Sequence, residues 1–91
     1  MAGNRKVTRE VCGAFMNKRK KHNDNTHTDG ESLFLFGNKI AEHREDGVYI
    51  TDAGWNSSTT RERLNYFAQV YTRKGQMYLN GQEWDGNWIK L

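Results

Sequence analysis

The chain has 91 residues, of which 12% are aromatic, with nine glycines, no proline and one cysteine. This length buries one small core, so a single domain over 1–91 is expected, and the lone Cys12 excludes both an intramolecular disulfide framework and a thiolate-rich zinc site. The net charge of +3 is uneven, with seven Lys/Arg against three Asp/Glu in residues 1–30 and seven against eight in 31–91, which confines the basic character to one patch.

Met1 to Arg9 is polar and has no apolar run of the kind that opens a signal peptide, and no stretch approaches the length of a membrane span. A reducing, cytosolic setting is expected. Val7 to about Lys20 reads as a helix with Thr8 as N-cap and Val11, Cys12, Phe15 and Met16 on one apolar stripe. Its C-terminal end is Lys18-Arg19-Lys20-Lys21, where cations complement the helix dipole. That cluster reads either as a solvated helix end or, with Arg5, Lys6 and Arg9, as a contact for phosphates or an acidic protein face. His22 to Gly30 is polar throughout and reads as a flexible loop between this helix and a sheet. His22 and His27 lack a third metal ligand at a fixed short spacing.

Residues 31–91 read as a sheet–helix–sheet body. Leu33-Phe34-Leu35-Phe36 is a strand, Gly37-Asn38 a two-residue turn, and Lys39 to Arg44 the returning strand; Asp46-Gly47 closes a second hairpin onto Val48 to Thr51. Gly54-Trp55 ends this meander, with Trp55 as a core anchor. Thr59-Thr60-Arg61-Glu62 has capping-box spacing between Thr59 and Glu62, and Leu64, Phe67, Ala68 and Tyr71 recur at helical intervals. Lys74-Gly75, Asn80-Gly81 and Asp85-Gly86 then mark turns between short strands ending at Leu91. The fold class is α+β: an N-terminal helix, an antiparallel three-stranded meander, a second helix and short C-terminal antiparallel strands.

The run Leu35-Phe36-Gly37-Asn38-Lys39-Ile40-Ala41, continued by Asp46-Gly47, Ala53-Gly54-Trp55-Asn56, Thr59-Thr60-Arg61-Glu62-Arg63-Leu64-Asn65 and Tyr78-Leu79-Asn80-Gly81, resembles a group of small bacteriophage proteins of uncharacterised function. The resemblance covers roughly residues 33 to 81. It implies a phage origin and an accessory role, and brings no catalytic residue or cofactor with it.

Catalysis is poorly supported by the residues. Cys12 lies on an apolar stripe, where a buried inert thiol is the usual outcome, His43 sits among strand charges, and the pair Glu42 and Asp52 is ordinary for exposed strands. No phosphate-cradling glycine loop is present, so a non-enzyme is expected, without a cofactor or metal. The leading expectation is a stoichiometric inhibitor of a bacterial defence assembly, anti-CRISPR-like, or of another host nucleoprotein complex, working in the cytoplasm of the infected host. Its contact surface would be Arg5, Lys6, Arg9, Lys18, Arg19, Lys20 and Lys21. Asn56, Arg61, Arg63 and Asn65, polar residues around a helix start, form a second contact set. The alternative is a small nucleic-acid-binding protein that uses the same basic segment and aromatics on an open sheet.

Overall fold

The computed structural model describes residues 6–54 and 57–91. Its first element is a π-helical turn, Thr8–Cys12, that runs without a break into α1 (Gly13–Met16). Val11, Cys12 and Phe15 on this run are fully buried, as their spacing requires. Thr8 is not the N-cap, because Val7 before it already has helical angles. Nor does the helix reach Lys20. Lys18 turns left-handed at φ 56°, and the N–H groups of Lys18 and Arg19 return to the carbonyls of Phe15 and Ala14 at 3.0 and 2.8 Å. That pairing is a Schellman closure carried by a lysine where glycine is usual, so no sequence stop signal announces it.

The expected loop over His22 to Gly30 is instead a hairpin, β1 (Lys20–Asn23) and β2 (Thr26–Asp29). Its inward residues are threonines. Thr26 and Thr28 are buried, with Thr28 Oγ1 donating to Ser32 O at 2.6 Å and accepting from Gly30 N at 3.0 Å, so a polar composition still builds an interior strand.

β3 (Ser32–Leu35), β4 (Asn38–Arg44) and β5 (Gly47–Ile50) form the meander. The turns stand one residue earlier than the sequence indicates: Phe36-Gly37 with Asn38 already paired to Leu35, and Glu45-Asp46 with Gly47 paired to Arg44. Phe36 and Gly37 both have positive φ, as do Lys74-Gly75 and Asn80-Gly81, the hairpin geometry whose twist matches the flanking strands.

The second helix, α2 (Ser58–Leu64), is capped by Ser57, whose Oγ accepts from Thr60 N at 3.2 Å. The expected box between Thr59 and Glu62 does not form, since Glu62 is drawn to Thr8 and Arg63. The helix also stops at Leu64. Phe67 and Ala68 pack on the core beyond its end, while Tyr71 lies on β6 (Val70–Arg73) and stacks on Tyr78 of β7 (Gln76–Leu79). Asn65 makes that corner: its Nδ2 donates to Arg61 O and Val70 O, each at 2.7 Å, and its Oδ1 accepts from Val70 N at 3.0 Å. β8 (Gln82–Glu83) and β9 (Ile89–Lys90) complete the strands.

Among the described residues the strands form two sheets, a six-stranded one in the order β1-β2-β3-β4-β5-β9 and a three-stranded one in the order β6-β7-β8. The chain thus returns at β9 to close the far edge of the first sheet. One apolar cluster runs from Val11 and Phe15 through Leu33, Leu35 and Ile50 to Leu64, Met77 and Trp84, so both sheets and both helical segments share a core. The α+β class and the order of helix, antiparallel meander, second helix and short C-terminal strands stand as read from sequence, with β1 and β2 extending the expected three-stranded meander. Trp55, the expected core anchor, lies outside the described residues.

Candidate functional site

The basic segment does not form one helical end. Arg9 stands on the π-helical turn, while Lys20 and Lys21 lie on β1. Because strand side chains alternate, Lys21 shares the helix side with its cross-strand partner, the buried Thr28, and Lys20 lies on the opposite side with His22. Between the helical run and β1 is an open groove of about 380 Å³ bordered by Arg9, Glu10, Asn17, Arg19, Lys20 and Lys21, with Gly13 and Ala14 between them. Gly13, which has no side chain, and Ala14, with only a methyl group, leave the space open. Among the described residues Glu10 is the one carboxylate on that border, and its Oε1 accepts from Asn23 Nδ2 at 2.8 Å. Lys6 and Lys18 are exposed beside this region without lining the groove. Arg5 lies outside the described residues.

The second expected contact set is mostly structural. Arg63 is fully buried, contrary to the expectation of a solvent-facing residue. Its Nε donates to Thr26 Oγ1 at 2.8 Å, one Nη to Thr8 Oγ1 at 3.0 Å and the other to Asn25 Oδ1 at 3.1 Å, and it pairs with Glu62. Thr8 Oγ1 also donates to Glu62, and Thr26 Oγ1 to Asn25 Oδ1 at 2.7 Å. The guanidinium therefore has acceptors from three elements, which lets a buried cation exist at all. Asn65 is occupied at the helix end as described, and Arg61 is half-buried. Asn56 lies outside the described residues.

The outer face of the six-stranded sheet carries a feature the sequence showed only as scattered aromatics. His22, His27 and Phe34 are register partners on β1, β2 and β3. The ring centroids are 6.0 Å apart for His22 and His27, and 4.7 Å for His27 and Phe34, which lie within 13° of parallel. Farther across, the Arg44 guanidinium sits 4.0 Å from the Tyr49 ring centroid and 5.1 Å from that of Trp88, a cation–π arrangement. Glu42 is engaged by Arg44 and by Lys39 at 3.3 Å. The hydrogen bond from Arg44, and then that from Lys39, holds its carboxyl below the ordinary value.

A family model described as Kyanoviridae Gp96 protein matches residues 4–90. The chain belongs to this bacteriophage family. The match takes in the groove, the outer sheet face and β9 alike, well beyond the stretch whose motifs pointed to phage proteins. No curated protein and no solved structure matches the chain. The family description states no activity, so the geometry must speak for function.

Of the residues weighed for catalysis, Cys12 is buried and its Sγ faces Arg63 O at 3.9 Å. Desolvation by burial pushes its thiol up to about 12, far from a nucleophilic thiolate. His43 Nε2 is bonded to Phe15 O at 2.7 Å, and its ring stacks on that of Phe15. Asp52 is buried and accepts from Gly54 N at 2.8 Å, while Glu42 is held by its two cations. Among the described residues no group of three or more His, Cys, Asp or Glu is placed to hold a metal ion, and no helix is long and apolar enough to cross a membrane. What this surface offers a ligand is positive charge at the groove and ring faces beside it.

Proposed function

We propose that this family member is a phage accessory protein that acts by stoichiometric binding and catalyses no reaction. Its target would be a bacterial defence assembly, in the anti-CRISPR manner, or another nucleoprotein complex in the cytoplasm of the infected host. The observation that supports this is the groove: Arg9, Arg19, Lys20 and Lys21 border it together, and the carboxylate among its described lining residues, that of Glu10, is already bonded. Such a concentration of charge speeds encounter with an anionic surface and fixes orientation on it. Exposed Phe36 and Tyr66 add the aromatic anchors from which protein interfaces draw much of their energy. A second reading, direct nucleic-acid binding, is favoured by the row of rings His22, His27 and Phe34 on the strands beside the groove, of which His27 and Phe34 are stacked.

Affinity capture of the tagged protein from bacterial lysate, with and without nuclease and over a salt series, tests both. A defined set of host proteins retained after nuclease supports inhibition by protein contact. Loss of every partner on nuclease treatment, with steep salt dependence, makes the chain a nucleic-acid binder. If reversing Lys18, Arg19, Lys20 and Lys21 leaves every interaction and activity intact, the groove is not the contact surface.

A further inference from the structure

Lys20 belongs to two surfaces at once: it borders the groove, and by register it shares the outer sheet face with His22. β1 is the edge strand of the six-stranded sheet, so groove and outer face are continuous around one edge. His22 is exposed and stands at the β1 end of this row of rings, tilted 44° to His27 with centroids 6.0 Å apart. His27 and Phe34 stack face to face on each other, whereas His22, exposed on the edge strand, is not stacked on either of them and is the ring presented at this edge.

Two chemistries therefore stand side by side, a set of cations and an aromatic face. A phosphodiester answers the first and a base the second. A duplex satisfies only the cations, because its base faces are buried in its own stack, whereas an unpaired strand presents both. The geometry points to a single-stranded nucleic acid crossing the β1 edge, with its phosphates in the groove of Arg9, Arg19, Lys20 and Lys21 and a base stacked on His22. The assignment rests on the groove being the contact surface, and it names the ligand chemistry of that surface. An acidic protein face would use the cations and leave His22 idle.

Fluorescence anisotropy with short labelled oligo-dT and oligo-dA, the corresponding duplex and heparin provides the test. Single strands are expected to bind with little preference between the two sequences, with a slope of log K against log salt of about −2 to −3 for up to four neutralised phosphates. Arg19→Glu with Lys21→Glu should weaken binding more than about tenfold and make the slope shallower. His22→Ala should weaken single-strand binding by about fivefold or more with the slope unchanged, and His22→Phe should restore it. His22 is exposed on an edge strand, so thermal melts of these variants should match the parent and separate lost contact from lost fold. Equal binding of heparin, duplex and single strands, or no effect of His22→Ala, overturns the proposal. If no oligonucleotide binds yet host proteins are still captured, the nucleic-acid track fails while stoichiometric protein binding stands; if oligonucleotides bind as described and no host protein is retained after nuclease, the reverse holds.

Discussion

Arg63 Nε donates to Thr26 Oγ1 at 2.8 Å across 37 positions of sequence, joining α2 to the β1–β2 hairpin. With Thr8 on the π-helical turn, Asn25 in the hairpin turn and Glu62 on its own helix also accepting from it, this one side chain ties together three elements, alongside the Thr8–Glu62 and Asn23–Glu10 hydrogen bonds. Removing it leaves buried hydroxyl and amide groups without their donor. Arg63→Ala is therefore expected to cost about 3–5 kcal/mol in urea denaturation, as for the loss of one member of a buried ion pair. Arg63→Lys should also destabilise, because an ammonium cannot replace a planar fork aimed at Thr26, Thr8, Asn25 and Glu62 together. A variant as stable as the parent would show that the network contributes nothing net.

Gly86 and Asp52 form the corresponding joint at the other end. Gly86 has φ 87°, and a Cβ placed there would collide with the Asp52 carboxylate. Its carbonyl accepts from Asp52 N at 3.0 Å and from Thr51 Oγ1, so the backbone cannot easily move away. Gly86→Ala should destabilise by more than about 1 kcal/mol from backbone strain and clash together. In an Asp52→Ala background the clash is absent and only the φ cost remains, so a double-mutant cycle should show coupling. Additive effects would refute the contact.

How far the sequence went depends on whether a local signal matched the tertiary outcome. The meander and the β6–β7 hairpin were legible because glycine turns and alternating apolar residues agree there, to within one residue at Phe36-Gly37 and Glu45-Asp46. β1 and β2 were not, since the buried residues Thr26 and Thr28 are polar: Thr28 is satisfied by the turn that follows it and Thr26 by Arg63, 37 positions away, and neither arrangement shows as an apolar pattern. The same holds for Arg63, whose charge implies solvent until its acceptors from other elements are assembled around it. The basic cluster was visible as composition, but its shape was not. The left-handed turn at Lys18 ends the helix early and splits the cations between a strand and a helical turn, and that split opens the groove.

Cys12 gives a probe of the core that needs no substitution. Its thiol is fully buried and burial pushes it up to about 12, so neither access nor thiolate fraction favours alkylation in the native state. Iodoacetamide labelling near pH 8 should proceed at the rate set by global opening and accelerate in urea along the unfolding curve. Rapid labelling of the folded protein would mean that the π-helical turn opens locally.

Asp29 supplies a pH dependence with a definite sign. Its Oδ1 accepts from Ser32 N at 2.8 Å and Glu31 N at 2.9 Å, closing the turn that leads from β2 to β3. Those two backbone bonds, that from Ser32 first, hold its carboxyl below the ordinary value. With the folded pKa below the unfolded one near 3.9, the stabilisation is fully present above about pH 5 and is lost as pH falls through the folded value. Asp29→Asn retains an acceptor oxygen and lacks the charge, so it should be modestly less stable than the parent at pH 7. The gap in melting temperature should narrow as pH falls below the unfolded value and on through the folded one, where the parent's own carboxyl takes up its proton. A gap that stays constant across this range would assign the effect to something other than the ionised carboxylate at the β2–β3 turn.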